Sequence, residues 1–253
     1  MSELQAGAKH VGLMVIATNR YIQFVGPLVE SARPWFMRGQ KVTFFVFTDA
    51  AEGPPGTVAI PHEHQKWPMP TLLRYRAFVR AKEMLGACDY LYYCDADMRF
   101  VAEVGEEALG DLVAVRHPGY FAKARAEFPY EDRAESAACV AAGEGMCYYA
   151  GGFQGGRAST YLGVAAELAA RIDKDLARGV VARWHDESHW NRYLVDHPPA
   201  VALSPSYCYP ESWDLPFEKK LLALDKDHDA VRGVKRGMGE RMVRLMKRLV
   251  RGQ

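Results

Sequence analysis

The segment Tyr90-Leu91-Tyr92-Tyr93-Cys94-Asp95-Ala96-Asp97 decides the fold, because a continuous apolar run ends abruptly in two carboxylates. Such a run predicts a strand that is buried on both faces, as in parallel sheets covered by helices. In an extended backbone residues i and i+2 point to the same side, so Asp95 and Asp97 face one position at the strand end. Paired carboxylates suit a hard cation, Mn²⁺ or Mg²⁺, that bridges to phosphate oxygens. The alternative is a strand end whose acidic side chains only meet solvent.

The segments on either side of this strand alternate between helix and strand patterns. Strands are predicted at residues 11–17 and 41–47, and helices at residues 21–37, 71–85 and 157–178. The proline-rich residues 52–70 are predicted to be a loop. This order predicts an α/β fold, with a Rossmann-like, mostly parallel sheet flanked by helices. In such folds ligands bind beyond the C-terminal ends of the strands.

Length, composition and charge are typical of an ordinary globular enzyme. The chain has 253 residues, 49% of them hydrophobic and 25% charged, and a net charge of +1, which gives no general sign of nucleic-acid binding. Its five cysteines form no CxxC pair and are expected to be reduced. Neither a signal peptide nor an apolar run of about 18 residues is evident. These features predict a cytoplasmic location.

Positive charge is concentrated near the C-terminus. Residues 232–251 contain eight Lys and Arg residues against Glu240, and apolar residues recur at helical spacing between residues 242 and 250. We therefore expect residues 1–233 to form one catalytic domain and residues 234–253 to form a basic amphipathic helix. One interpretation of this helix is peripheral contact with the anionic inner face of a membrane. The other is a helix that docks its apolar side on the domain.

A glycine-rich segment follows a second apolar run. Residues 146–150 enter Gly151-Gly152-Phe153-Gln154-Gly155-Gly156, whose spacing matches neither a dinucleotide-binding fingerprint nor a P-loop. Glycines allow unusual dihedral angles and close approach of a ligand to the backbone. The segment is either a turn or the floor of a sugar pocket.

A third segment, Trp184-His185-Asp186-Glu187-Ser188-His189-Trp190-Asn191, is dense in functional groups. His185 and His189 have the i, i+4 spacing of zinc ligands, but Glu187 is one position away from where the HExxH motif requires it. In another interpretation, Asp186 and Glu187 lie beside a sugar, with Trp184 as a stacking platform. The third interpretation is a capped helix start with partly buried histidines.

Taken together and in order, these segments resemble glycosyltransferase family 6, the family of the ABO blood-group transferases and the α-1,3-galactosyltransferase. The resemblance covers about residues 11–232. The matching segments are Phe45-Val46-Phe47-Thr48-Asp49, Asp89-Tyr90-Leu91 through Asp95-Ala96-Asp97-Met98, His117-Pro118-Gly119, Tyr148-Tyr149-Ala150-Gly151-Gly152-Phe153 with Gly155-Gly156, Trp184-His185-Asp186-Glu187-Ser188-His189, Leu203-Ser204-Pro205, and Lys226-Asp227-His228 with Ala230-Val231-Arg232.

The resemblance implies a GT-A fold and a retaining transfer of galactose or N-acetylgalactosamine from a UDP-sugar to O3 of a β-galactoside. In the blood-group members this galactoside carries an α-1,2-linked fucose. The resemblance implies Mn²⁺ (or Mg²⁺) at Asp95 and Asp97, with Glu187 as the catalytic carboxylate. Small residues at Ala150 and Gly152 favour UDP-N-acetylgalactosamine over UDP-galactose as the donor.

The same resemblance assigns the remaining site residues. Those implied for the donor are Ile16, Ala17, Thr18 and Tyr21 around the uridine, Lys226 and Arg232 over the diphosphate, and Arg74, Asp95, Ala150, Gly151, Gly152 and Asp186 elsewhere. Those implied for the acceptor are His117, Trp184 and Glu187.

Two departures from the family and two other functions bear on this interpretation. The sequence offers no N-terminal anchor like that of the animal members, so we expect it to be like the soluble bacterial ones. Many of those carry Asn at both metal positions, whereas the intact Asp95 and Asp97 predict metal dependence. A sugar-phosphate nucleotidyltransferase and a non-catalytic UDP-sugar-binding protein remain alternatives. The former should carry a glycine-rich basic loop after the first strand, and Thr18-Asn19-Arg20-Tyr21 has no glycine.

Overall fold

The structure is a computed structural model that describes residues 7–226 and residue 231. Arg232 and the expected helix at residues 234–253 lie outside the described residues, so the division into a domain and a tail stays a prediction. The described strands are β1 (His10–Ile16), β2 (Lys41–Thr48), β3 (Thr57–Pro61), β4 (Tyr90–Cys94), β5 (Met98–Phe100), β6 (Leu112–Arg116), β7 (Tyr149–Arg157), β8 (Val201–Leu203), β9 (Tyr209–Pro210) and β10 (Leu221–Ala223).

Seven of these strands form one sheet in the described part of the chain, in the order β3-β2-β1-β4-β7-β6-β8. Strand β7 runs antiparallel to its neighbours β4 and β6, and the other neighbouring pairs run parallel. The predicted α/β fold with a mostly parallel sheet is confirmed. Every residue of β4 is buried, as its apolar sequence predicted.

Helices cover both faces of this sheet. They are α1 (Ile22–Trp35), α2 (Met69–Leu72), α3 (Arg74–Arg80), α4 (Lys82–Leu85), α5 (Ala158–Leu176) and α6 (His185–Asp196). Leu13 and Val15 pack in the layer that contains α1, whereas Met14 between them packs in the layer that contains α3 and α5. This alternation explains why β1 has no polar side chain after His10, since successive residues face opposite layers. Among the described residues, no helix combines the length and apolar character needed to cross a membrane.

Two local predictions were wrong. The segment at residues 52–70 contains strand β3, which pairs with β2 from Phe44↔Thr57 to Thr48↔Pro61. Prolines are tolerated there because β3 is an edge strand, where one side of the backbone needs no ladder partner. The single helix predicted at residues 71–85 is divided into α2, α3 and α4, because Leu73 and Ala81 have ψ near 12–13°, outside the helical region.

The interpretation of residues 151–156 as a turn was also wrong, because these residues form the middle of strand β7. At Gly155 an added Cβ would lie 2.3 Å from the Leu91 carbonyl oxygen and 2.6 Å from the Tyr92 ring. The backbones of β7 and β4 therefore come too close together for any side chain at this position.

A smaller sheet of three described strands has the order β5-β10-β9. It brings the end of the described chain back to the acidic pair, Asp95 and Asp97. Strand β5 begins directly after Asp97, and β10 runs antiparallel to it. The chain that leaves β10 consequently returns toward Asp97, whose carbonyl accepts a hydrogen bond from the Leu224 N–H at 2.9 Å. This pairing carries Lys226 to the end of β4.

Candidate active site

The C-terminal ends of β1 and β4 bring the predicted donor and metal residues together. Strands β1 and β4 are parallel neighbours, so Ala17 and Thr18 follow one strand at the edge where Asp95 and Asp97 follow the other. Strand β7 runs the opposite way, and its first half therefore lies at this edge. The Asp95 N–H donates to the Gly152 carbonyl at 2.9 Å, which fixes the acidic pair against β7.

Gly151 and Gly152 allow two carboxylates to approach strand β7. A Cβ added at Gly151 would lie 3.4 Å from Glu187 Oε2, and one added at Gly152 would lie 3.1 Å from Asp95 Oδ2 and 3.4 Å from Cys208 Sγ. Each glycine therefore leaves room for a different acid, at a point where the register of β7 against β6 is irregular. The sequence did not reveal this packing role, because it depends on residues 36–57 positions away.

Glu187 is held in a fixed orientation by two hydrogen bonds. Its Oε1 accepts from the Tyr148 hydroxyl at 2.9 Å, and its Oε2 accepts from the Gly151 N–H at 2.8 Å. Glu187 also lies in the first turn of α6, where the helix dipole favours negative charge. Tyr148 is thus a residue of the candidate site, although its sequence motif alone indicated no role for it.

Arg74 links Asp186 to Asp95. Its Nε lies 2.9 Å from Asp186 Oδ2, its Nη2 lies 3.7 Å from Asp95 Oδ1, and its Nη1 donates to the Gly151 carbonyl at 2.8 Å. The guanidinium is buried and lies 4.2 Å from the centre of the Tyr93 ring. Burial raises the pKa of Asp186 to about 7, the charges of Glu187 and Asp95 add to the rise, and Arg74 opposes it. Arg74 therefore keeps closely spaced carboxylates compatible with one another.

Asp95 and Asp97 have the chemistry of a site for a hard cation. Asp95 accepts a hydrogen bond from the Tyr93 hydroxyl at 2.5 Å, and Asp97 forms an ion pair with the chain's own Lys226. Asp97 is therefore already paired with a positively charged side chain in this structure. Among the described residues there is no group of three or more His, Cys, Asp or Glu side chains close enough together to hold a metal by themselves. The two carboxylates fit a cation that takes its remaining ligands from phosphate and water.

The residues predicted to hold uridine lie together at the end of β1. Ile16 is the last residue of β1, Ala17 and Thr18 follow it, and Tyr21 ends the short turn of 3₁₀ helix Asn19–Tyr21. The Thr18 hydroxyl shares a hydrogen bond with His64 Nδ1 at 2.9 Å. Lys226 Nζ lies 5.5 Å from the centre of the Tyr21 ring, so the predicted uridine and metal residues are neighbours. No pattern in the sequence indicated a role for His64.

His117 and Trp184, which are predicted to bind the acceptor, both lie near Glu187. His117 follows β6, and its Nδ1 accepts from the Gly119 N–H at 3.0 Å, which leaves its proton on Nε2. The ring packs against Tyr148, with centroids 5.7 Å apart, and so is connected to Glu187 through one side chain. Burial lowers the pKa of His117, and the charge of Glu187 opposes this shift. Trp184 directly precedes α6 and is half exposed.

The two histidines considered as zinc ligands have different surroundings. The His185 ring contacts the exposed Trp67 edge-on, with centroids 5.0 Å apart. His189 is completely buried, and its Nε2 lies 3.6 Å from Asp175 Oδ2. Burial lowers the pKa of His189 to about 4, with Asp175 opposing the shift. His189 is therefore an interior residue of α6, in line with the interpretation of this segment as a helix start.

Comparison with known proteins agrees with the resemblance. The model of glycosyltransferase family 6 matches residues 2–233. The chain is 36% identical over 236 residues to the human globoside α-1,3-N-acetylgalactosaminyltransferase 1, covering 88% of this chain and 68% of that protein. It is 34% identical over 237 residues to the rat histo-blood group ABO system transferase 1, covering 88% of this chain and 68% of that protein. It is 26% identical over 226 residues to the Escherichia coli O-antigen biosynthesis glycosyltransferase WbnI, covering 87% of this chain and 96% of that protein. The chain thus spans about two thirds of the length of these animal relatives.

Proposed function

Because the chain belongs to glycosyltransferase family 6, we propose that it transfers N-acetylgalactosamine or galactose from a UDP-sugar, with retention, to O3 of a β-galactoside. One observation carries this proposal most directly. Glu187 and Asp95 approach adjacent residues of the same strand, Gly151 and Gly152, so a carboxylate suited to the sugar lies beside one suited to the diphosphate. The animal relatives are named as α-1,3-N-acetylgalactosaminyl and ABO transferases, which supports this class of reaction.

The donor half of the proposal concerns the departure of UDP. Ile16, Ala17, Thr18 and Tyr21 would hold the uridine, while Asp95 and Asp97 would hold Mn²⁺ or Mg²⁺. When bound, the cation supplies positive charge that stabilises the leaving diphosphate. Lys226 contacts Asp97 in this structure, so it is close enough to the acidic pair to add its own charge. Arg232, beyond the described residues, is proposed for the same role.

The acceptor half concerns O3 of the galactoside. His117 carries its proton on Nε2 and can donate a hydrogen bond to a sugar hydroxyl, while the exposed Trp184 offers an aromatic face. Glu187 would stabilise the positive charge that develops at the anomeric carbon as the bond to UDP breaks. Its two hydrogen bonds support this role, because a preorganised carboxylate needs no reorganisation during the reaction.

The proposed donor is UDP-N-acetylgalactosamine. Ala150 and Gly152 lie close together in β7, and both have small side chains or none. A larger group at position 152 would meet Asp95 and Cys208, so the space beside this glycine is already narrow. Residues with longer side chains would close the space that an acetamido group requires.

Activity assays with the full chain test the proposal directly. UDP-N-acetylgalactosamine and UDP-galactose would each be supplied with Mn²⁺ and a 2-O-fucosylated β-galactoside, and the product linkage determined by NMR. We expect an α-1,3-linked product with release of UDP, a preference for the N-acetylgalactosamine donor, and loss of activity in EDTA. A nucleotidyltransferase would instead make UDP-sugar from UTP and a sugar phosphate, and a binding-only protein would release no UDP. Either result would refute the proposal.

The basic segment at residues 234–253 is proposed as a separate element that contacts anionic lipid at the inner membrane face, a proposal carried by its charge alone. A chain ending at residue 233 should keep its transfer rate and lose binding to vesicles that contain phosphatidylglycerol. Equal vesicle binding by both chains would contradict it.

A further inference from the structure

Trp213 is an exposed aromatic side chain held in place by its neighbours. It lies in the segment at residues 211–217 that follows β9, and 37% of its surface is exposed. The buried Tyr209 hydroxyl accepts a hydrogen bond from the Leu215 N–H at 2.5 Å, closing this segment on itself. Phe217 at the other end packs edge-on against Phe121, with centroids 4.9 Å apart. The indole is therefore presented to solvent by an anchored segment.

The indole lies directly beside the proposed acceptor site. A Cβ added at Gly119 would lie 3.7 Å from Trp213 Cη2 and 3.4 Å from the His117 ring. Trp213 and His117 thus both come within 4 Å of one point beside Gly119. The same Gly119 donates its N–H to His117 Nδ1, so the turn after β6 that orients His117 also lies against Trp213.

Exposure alone would mean little, because single apolar side chains are common on protein surfaces. The position of Trp213 makes the difference, since it continues the proposed acceptor site outward. Aromatic rings that combine an apolar body with a polar edge are well suited to a ligand that is apolar on one face and hydrated on the other. A pyranose ring has this character, because its axial C–H groups form an apolar face between hydroxyls.

We propose that Trp213 is a stacking platform for a second sugar of the acceptor glycan, namely the sugar unit to which the reacting galactose is attached. This inference rests on the proposed function, because it takes His117 to bind the galactose. The platform would give the protein a preference for galactose at the end of a longer glycan over galactose on a small aglycone.

The test compares two acceptors that share the reacting unit. One is methyl 2-O-α-fucosyl-β-galactoside, and the other is 2′-fucosyllactose, in which the same unit is linked to glucose. We expect Trp213→Ala to raise the KM for 2′-fucosyllactose by about tenfold and that for the methyl glycoside by less than about twofold. The value of kcat should stay unchanged for both acceptors, and Trp213→Phe should give an intermediate KM.

Trp35 provides a matched control, because its exposure is also 37%. It is the last residue of α1, which begins where β1 ends and finishes before β2 begins, so it lies at the opposite edge of the sheet. Trp35→Ala should leave both KM values unchanged. UDP affinity measured by calorimetry should be equal in all variants if each has folded.

Two outcomes would overturn the platform. One is an unchanged KM for 2′-fucosyllactose in Trp213→Ala, and the other is an equal rise for both acceptors, which would place Trp213 against the galactose itself. If the wild-type chain transfers no sugar, the proposed function fails. The platform is then judged by saturation-transfer NMR with UDP and 2′-fucosyllactose. Signal at the glucose ring protons that disappears in Trp213→Ala supports it, and no signal in the wild type refutes it.

Discussion

Replacing Glu187 by Gln would separate the charge of this side chain from its shape. The carboxylate accepts hydrogen bonds from the Tyr148 hydroxyl and the Gly151 N–H, one on each oxygen. Gln keeps an oxygen for one donor but turns an NH₂ group toward the other, and it removes the negative charge. A preorganised charge next to a developing cation contributes about 3–4 kcal/mol to transition-state stabilisation. At about 1.36 kcal/mol per factor of ten, kcat should fall about 100- to 1,000-fold.

The assay is the initial rate against donor concentration at saturating acceptor, combined with UDP affinity by calorimetry. Tyr148→Phe is the matched control, because it removes one hydrogen bond and keeps the charge on Glu187. A lost hydrogen bond to a charged group costs about 1.5–3 kcal/mol, and relaxation of the carboxylate should limit the loss in kcat to about tenfold. UDP affinity should stay within about twofold in both variants. A kcat near that of the wild type in Glu187→Gln, or a fall matched by an equal loss of UDP affinity, would refute the role given to Glu187.

Three further predictions concern the proposed metal ligands Asp95 and Asp97, the buried His189 and the glycines of β7. Asp97→Asn should weaken Mn²⁺ binding, measured by electron paramagnetic resonance with UDP present, by at least about tenfold, whereas the exposed Asp214→Asn should leave it unchanged. The free energy of unfolding in urea of the wild type, relative to that of His189→Gln, should fall as the pH drops from 6.5 toward 4, because the unfolded His189 takes up a proton before the buried one, whose pKa is about 4, while Asp186, with its pKa of about 7, affects both chains alike. This relative fall amounts to about 3 kcal/mol at about 1.36 kcal/mol per pH unit; His197→Gln should behave as the wild type does, and a pH-independent difference between the wild type and His189→Gln would contradict it. Gly152→Ala should also weaken Mn²⁺ binding, because its Cβ would press on Asp95, whereas Gly163→Ala in α5 meets no atom within 4 Å and should stabilise the fold by up to about 1 kcal/mol; equal Mn²⁺ affinity in both would contradict this account.

The parts of the fold that depend on local pattern could be predicted from the sequence. The apolar run before Asp95 requires cover on both faces, so its burial and the mostly parallel sheet followed from hydrophobic pattern alone. Strand β3 could not be predicted in this way, because its pairing with β2 outweighs the prolines around it. The same holds for β7, where close contact with β4 requires glycines that in isolation favour a turn.

The site shows the same division between local and distant information. The sequence placed Asp95 and Asp97 at a strand end, and they are found there. The bond between Tyr148 and Glu187 and the burial of Arg74 against Asp186 join residues 39 and 112 positions apart. Lys226 reaches Asp97 only because β10 pairs with β5. No periodicity or motif spacing carries information about contacts that the packing of the sheet creates.

The location of Gly151 and Gly152 inside a strand has a consequence for attempts to redesign this protein. Positions that sit on loops can usually be randomised freely, since the scaffold beneath them absorbs the change. Here Gly151 and Gly152, the residues nearest the acidic groups, belong to β7 between β4 and β6, and the Gly152 carbonyl accepts the Asp95 N–H. Libraries that target the proposed donor preference at positions 150–152 should therefore yield many misfolded members, and productive variants should require compensating substitutions in the two flanking strands.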